Sequence, residues 1–386
     1  MKHDSYRKDI KNNQKKFKVV NVVQDFNTGG IQKLLLEYLR YFKDSPDIDY
    51  KVVVLEQNRH SLFDEIAQKE DLNIDYLDCS ISKNKHYYIR KISDHLCYNG
   101  RLSKYLRREK PDVVHTHNSR IFVRIIACIR KNINRYKWFH TLHSDPYAVN
   151  DNHIPFIKEL LCGEQPKVSP ICLNKTQFER AKDRYGLEKC DYLYNVFDFS
   201  KFSCDTEDKN DIRKEIGISP RAYVVGTVGR LDPVKNYGLL IKAFSVVVKK
   251  RPESVLVFVG DGDEKEMLMA ESERLGIAEK VMFLGIRSDT NRMYRMFDLF
   301  VSTSITESSG LVLLEAQHCG LKCVVSTGCP VESICTENVV RMTKDASIDE
   351  WAGQIAHPSG FAERQSAFDD YSIENNAEKM LRIYKK

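Results

Sequence analysis

Apolar residues along this chain fall into two alternating rhythms, short solid runs and helical stripes, and the alternation persists from one end to the other. Residues 19–24 (V-V-N-V-V-Q) are a run of the kind that a strand buried on both faces requires. Residues 31–42 follow with apolar positions at 31, 34, 35, 38, 39 and 42, the stripe of a helix. The same reading predicts strands at 50–55, 74–77, 112–117, 138–142, 167–173 and 191–196. Helices are predicted at 61–69, 87–109, 120–135 and 174–184, the second closed by Pro111. Residues 145–166 show no clear period and are expected to be irregular. A charged, turn-rich stretch spans 199–220, and the alternation then resumes. Strands are expected at 223–229, 254–260, 281–284, 296–302 and 322–326, and helices at 237–249, 265–275, 289–296, 311–318 and 369–384.

Strands alternating with helices define an α/β chain with parallel, doubly wound sheets, here two Rossmann-like units. The expected organisation is a disordered lead-in at 1–16, a first domain at 17–198, a linker at 199–220, a second domain at 221–368 and a terminal helix at 369–386. A length of 386 residues accommodates two such domains. No apolar run approaches the roughly 18 residues of a membrane span, and residues 1–18 are polar and lysine-rich, unlike a secretory signal. The expected location is cytoplasmic. Eleven cysteines are scattered without a C-x-x-C pair, which predicts reduced thiols rather than a metal site or disulfides.

The candidate chemistry centres on residues 303–323. Glu307 and Glu315 stand eight apart, separated by the small turn Ser308-Ser309-Gly310 and an apolar run. Strand, loop and helix in that order place unpaired backbone N–H groups at the helix start, suited to a phosphate. A carboxylate on either side would accept hydrogen bonds from hydroxyls, such as those of a sugar ring and a ribose. A second element is Gly229-Arg230, at a strand end, with Lys235 just before a helix: two cations that could neutralise a diphosphate. Gly29-Gly30 ends the first strand's loop, where glycine lets backbone approach a ligand closely. His143 ends a strand, where open α/β sheets place ligands, and His115 and His117 end another. Asp261-Gly262-Asp263 could suggest a metal-binding pair.

E-S-S-G-L-V-L-L-E-A-Q, followed by Gly320-Leu321, Val324-Val325-Ser326 and Pro330, resembles the E-x7-E signature of glycosyltransferase family 4. G-R-x4-K-N at 229–236, D-V-V-H-x-H at 112–117, W-F-H-T-L-H-S at 138–144 and Y-N-V-F-D at 194–198 are similar to further segments of that family. The resemblance implies a GT-B fold and a retaining transfer from a nucleotide sugar, with UDP the expected nucleotide, without a cofactor or metal. It implies that Arg230 and Lys235 stabilise the diphosphate, that Glu307 holds the transferred sugar, and that Glu315 holds the ribose. Ser309, Gly310, Leu311 and Val312 would lie against sugar and phosphate, Leu284-Gly285 against the base, and His143 with Gly29-Gly30 would close the site from the facing domain. The terminal helix would cross back onto the first domain. Ser309 and Val196 depart from the pattern, which usually has a large apolar residue and a glycine there. The competing readings are a GT-B nucleotide-sugar epimerase and a non-catalytic nucleotide-sugar-binding subunit.

Charge adds a partner. Residues 1–200 carry 35 Lys and Arg against 26 Asp and Glu, and residues 101–150 carry 11 against 3. Such asymmetry predicts that the first domain faces something anionic. The expected partners are the inner membrane surface, bound peripherally, and a lipid-linked or oligosaccharide acceptor. Nucleic acid is not expected, since no recognition motif for it appears. The wording of the signature most resembles enzymes of capsule, exopolysaccharide or lipopolysaccharide assembly.

Overall fold

In β1 (Phe17–Val23), successive valines face opposite ways: Val20 and Val22 enter one core cluster, Val19 and Val23 another. A strand with period-two side chains and apolar residues at nearly every position belongs in the middle of a sheet covered on both faces. The computed structural model that shows this describes residues 15–27, 30–56, 61–79, 87–202 and 208–386; the expectations for residues 1–14 and Gly29 lie outside it. β1 is joined by β2 (Ile48–Glu56), β3 (Ile74–Cys79), β4 (Val113–His117), β5 (Lys137–Leu142), β6 (Ser169–Cys172) and β7 (Asp191–Tyr192). All pair in parallel, in the order β3-β2-β1-β4-β5-β6-β7.

The second sheet is built likewise from β8 (Tyr223–Val228), β9 (Ser254–Val259), β10 (Val281–Phe283), β11 (Leu299–Ser302), β12 (Lys322–Ser326) and β13 (Val339–Met342), in the order β10-β9-β8-β11-β12-β13. Gly226 in β8 is required by packing: a Cβ there would stand 2.2 Å from the Phe297 ring. Each sheet reverses its strand order once, between β1 and β4 and between β8 and β11. Those reversals open crevices at the carboxyl ends of the strands, where such folds hold ligands.

Three expectations are corrected. Residues 145–166 are not irregular throughout: a helix runs Ile154–Leu161, burying Ile157, Leu160 and Leu161. Pro155 lies in its first turn, where a missing N–H costs nothing. The linker is shorter than 199–220, because Lys209–Ile216 is a helix of the second domain. Its Arg213 is buried and donates to the carbonyls of Met296 and Ala222 and to Asp298. The expected helix at 120–135 is two helices, Ser119–Arg124 and Ile126–Asn132. Asn99 separates them: its amide donates to Arg124 O at 2.9 Å and accepts from Cys128 N at 2.6 Å, replacing the direct backbone bond.

The terminal helix, Ile373–Lys385, lies on the first domain, with Ala377, Met380, Ile383 and Tyr384 in the cluster that covers β1 and β2. Tyr384 and His115 Nδ1 lie 2.5 Å apart.

Candidate active site

The loop after β11 carries Glu307 to the β8–β11 crevice. Its backbone is pinned on both sides, with Ile305 N–H donating to Val234 O at 2.8 Å and Glu307 N–H donating to Gly328 O at 3.0 Å. Lys235 Nζ donates to Glu307 Oε1 at 2.6 Å, and Ser304 Oγ donates to the same oxygen at 2.7 Å. Oε2 has no hydrogen-bond partner among the described residues. One oxygen is therefore clamped and the other can accept from a ligand hydroxyl. The Lys235 backbone is held in turn, since Thr303 Oγ1 donates to Lys235 O at 2.9 Å.

Gly310 takes φ +62°, and a Cβ there would stand 2.8 Å from Ser333 Oγ. It starts the helix Leu311–His318, and Leu313 N–H donates to its carbonyl at 2.9 Å. The N–H groups of Leu311 and Val312 precede the first intrahelical bond and have no acceptor among the described residues, which leaves them for an anion. Glu315, one turn in, is buried and accepts from Tyr294 Oη at 2.7 Å on Oε2. Burial pushes its carboxyl up from the usual range, while the Tyr294 hydrogen bond and the charge of Lys33, across on the first domain, pull it down.

Arg230 stands at the end of β8 but is exposed and forks onto Asp232 at 2.8 Å, apart from the Lys235–Glu307 pair. Gly229, at φ +155°, lets Tyr237 Oη approach to 2.9 Å from where a Cβ would be. The glycines of 260–262 bring the β9 loop against this one, since a Cβ on Gly260 would meet Gly229 O at 1.9 Å and one on Gly262 would meet Leu231 O at 2.4 Å. That explains the D-G-D turn by packing. Leu284 and Gly285 follow β10, and Gly260 N–H donates to Gly285 O at 2.8 Å. They sit at the same edge of the sheet, two strands from β8. Among the described residues, no group of three or more His, Cys, Asp or Glu side chains could hold a metal ion.

From the first domain, Gly30 begins the helix Gly30–Phe42 and lines a small cavity with Lys33, Asn195, Val196 and Leu311. Several contacts join the domains beside Glu307. Thr306 Oγ1 donates to Asp145 at 2.6 Å, Asn174 Nδ2 to Ser308 O at 2.6 Å, and Asn195 Nδ2 to Ser309 Oγ at 3.0 Å. Ser309 thus serves an interdomain hydrogen bond that an apolar residue could not make. His143 Nε2 and His117 Nδ1 lie 3.0 Å apart, and burial pushes His143 down to about 4.

Residues that sequence reasoning missed include Ser304, Tyr294, Asp145, Asn174 and Lys33. Asn174 carried a signal, being the N-cap of the helix Lys175–Tyr185. The others carried none, because their relevance depends on which elements meet.

Two parallel doubly wound sheets facing each other across a crevice lined by these groups are the GT-B architecture. A protein from Anabaena in complex with UDP-glucose has the same fold, with a TM-score of 0.72 and 17% identity over 96% of this chain and 100% of that one. Residues 208–358 match the family of glycosyl transferases group 1. Among curated relatives, the UDP-Gal:alpha-D-GlcNAc-diphosphoundecaprenol alpha-1,3-galactosyltransferase of Escherichia coli is 29% identical over 242 residues, 58% of this chain and 60% of that relative. An uncharacterized glycosyltransferase of Methanocaldococcus jannaschii is 26% identical over 300 residues, 72% of this chain and 76% of the relative.

Proposed function

We propose that the protein is a retaining, metal-independent glycosyltransferase. It would move a hexose-type sugar from a nucleoside diphosphate sugar, with UDP the expected nucleotide, to a lipid-linked or saccharide acceptor in cell-surface polysaccharide synthesis. The observation that carries this reading is Glu307, with one carboxylate oxygen clamped by Lys235 and Ser304 and the other unclaimed, beside a helix start with free N–H groups. A sugar hydroxyl fits the free oxygen and a diphosphate fits the lysine and the N–H groups.

As the bond to the leaving diphosphate breaks, negative charge grows on its oxygens. Lys235, fixed by Glu307 and Thr303, stabilises that charge without reorganising. Arg230 reaches the diphosphate by releasing Asp232. The relatives' names support donor and acceptor class: one uses a UDP sugar and a diphosphoundecaprenol-linked acceptor, and a protein of the same fold binds UDP-glucose. Peripheral attachment to the cytoplasmic membrane face is part of the proposal. It rests on the basic first half and on the helix Tyr87–Glu109, which exposes Leu96 and, about two and three turns further along, Lys104 and Arg107.

The test is thermal stabilisation by a panel of nucleoside diphosphates and their sugars, with Mg²⁺ or with EDTA. One nucleotide sugar should stabilise by about 2.7 kcal/mol at a hundred times its Kd, equally in EDTA, with the effect lost in Lys235→Ala. Product NMR should show the anomeric configuration retained. Stabilisation by none of the panel would overturn the reading.

A further inference from the structure

The first-domain crevice holds a hydrogen-bonded chain whose proton positions follow from its geometry. It crosses three adjacent strands: Asn21 on β1, His117 at the end of β4, and His143 just after β5. Asn21 and His117 are buried, and His143 is partly covered. Asn21 Nδ2 donates to Lys51 O at 3.1 Å. A carbonyl only accepts, so the amide nitrogen must face it and Oδ1 must face His117. His117 Nε2 lies 3.0 Å from that Oδ1, so Nε2 carries the hydrogen. A neutral imidazole has one N–H, which leaves His117 Nδ1 as an acceptor. Its partner at 3.0 Å is His143 Nε2, which must therefore be the donor. His143 Nδ1 is left with a bare lone pair and no partner among the described residues. Neutrality of both rings agrees with their burial, which holds each below the ordinary imidazole range.

We propose that Asn21 and His117 are positioning residues that hold His143 as its Nε2–H tautomer, so that Nδ1 accepts a hydrogen bond from a hydroxyl of the donor sugar. This rests on the transferase reading above and gives His143 a defined chemical preference. A neutral ring presenting a lone pair selects a hydroxyl hydrogen and repels a phosphate oxygen. The relay thus reads the sugar and leaves the diphosphate to Lys235 and the helix start. Two strands of the sheet set a tautomer on the third.

The tautomer is read directly by ¹⁵N NMR of the full chain labelled at histidine, the His143 signals being assigned by their loss in His143→Gln. The wild type should show a pyrrole-type Nε2 and a pyridine-type Nδ1 at pH 7. His117→Gln should keep that pattern, because its amide can accept from His143 and donate to Asn21; His117→Phe should lose it. Should His117→Phe fail to fold, Asn21→Leu removes the same anchor, and the wild-type spectrum alone decides the assignment.

The second readout is kcat/KM with the nucleotide sugar and its deoxy analogues. Removing one hydroxyl should cost the wild type and His117→Gln roughly five- to tenfold, and should cost His117→Phe nothing further. An Nδ1–H tautomer in the wild type, or an unchanged tautomer in His117→Phe, overturns the relay. Equal deoxy penalties in wild type and His117→Phe overturn the hydroxyl contact. If the tautomers are as expected but no nucleotide sugar binds, the relay stands and the transferase reading fails.

Discussion

Gly328→Ala tests whether the position of Glu307 matters independently of its chemistry. Gly328 follows β12, and its carbonyl receives the Glu307 N–H at 3.0 Å. A Cβ at this position would stand 2.3 Å from Ser304 O and 2.4 Å from Ile305 O. Ordinary contact begins at 3.4 Å, so the backbone of residues 304–307 must retreat by about 1 Å. It cannot do so freely, because Ile305 N–H is tied to Val234 O at 2.8 Å and Ser326 Oγ donates to Ser304 O. Glu307 moves with the loop, which disturbs the contact that now holds it 2.6 Å from Lys235 Nζ. Overpacking of this kind costs about 1–3 kcal/mol of stability, and a shift of about 1 Å at a reacting group costs on the order of a hundredfold in turnover. The assay is kcat with the donor found by the stabilisation panel, at a temperature where circular dichroism shows the variant folded. Gly353→Ala serves as control: Gly353 lies inside the helix Ile348–Ala356 with no atom within 4 Å of an added Cβ. It should leave turnover unchanged and add about 0.5–1 kcal/mol of stability. Folded Gly328→Ala with turnover within threefold of wild type would refute the argument that this contact holds the loop.

Tyr294→Phe removes the donor to buried Glu315 and should cost about 1–3 kcal/mol in urea unfolding, with the Glu315 carboxyl pushed further up; an unchanged midpoint would contradict it. Acidification from pH 7 to 5 should destabilise the fold. Burial holds His115 and His117 well below 6.5, His143 at about 4 and His140 at about 3, so the unfolded chain takes up protons first. Their stabilising effect is present above about pH 6.5 and lost as pH falls, by at most about 1.4 kcal/mol per unit for each ring. Glu315 works in the opposite sense, one group against four, so a urea midpoint that rises toward pH 5 would refute this. Asn99→Leu should break the joint between the helices Ser119–Arg124 and Ile126–Asn132, leaving Cys128 N–H and Arg124 O without the bridging amide, at about 1–3 kcal/mol; no loss of stability would show that the backbone closes the gap itself.

The alternation of apolar runs and stripes determined two parallel sheets because strands buried on both faces have little other way to read, and the helices between them must repay the crossover. The spacing of Glu307 and Glu315 around Gly310 determined a strand-loop-helix module with a carboxylate at each end, a local matter of a few turns of chain. Other features were decided only by tertiary structure. Lys209–Ile216 is too charged to read as a packed helix, and it packs because Arg213 finds three carbonyls and Asp298. The stripe at 120–135 continues through Ile125, and it breaks where Asn99 and His95 of another helix reach Arg124 O. The pairing of Thr306 with Asp145, 161 residues apart, and of Tyr384 with His115, 269 apart, has no local signature. Periodicity reports which side of an element faces apolar surroundings; it carries no information on which element will be found there. The Lys235 arm of the clamp on Glu307 and the tautomer of His143 are set by side chains that different strands bring together, so they exist only once the sheets are assembled.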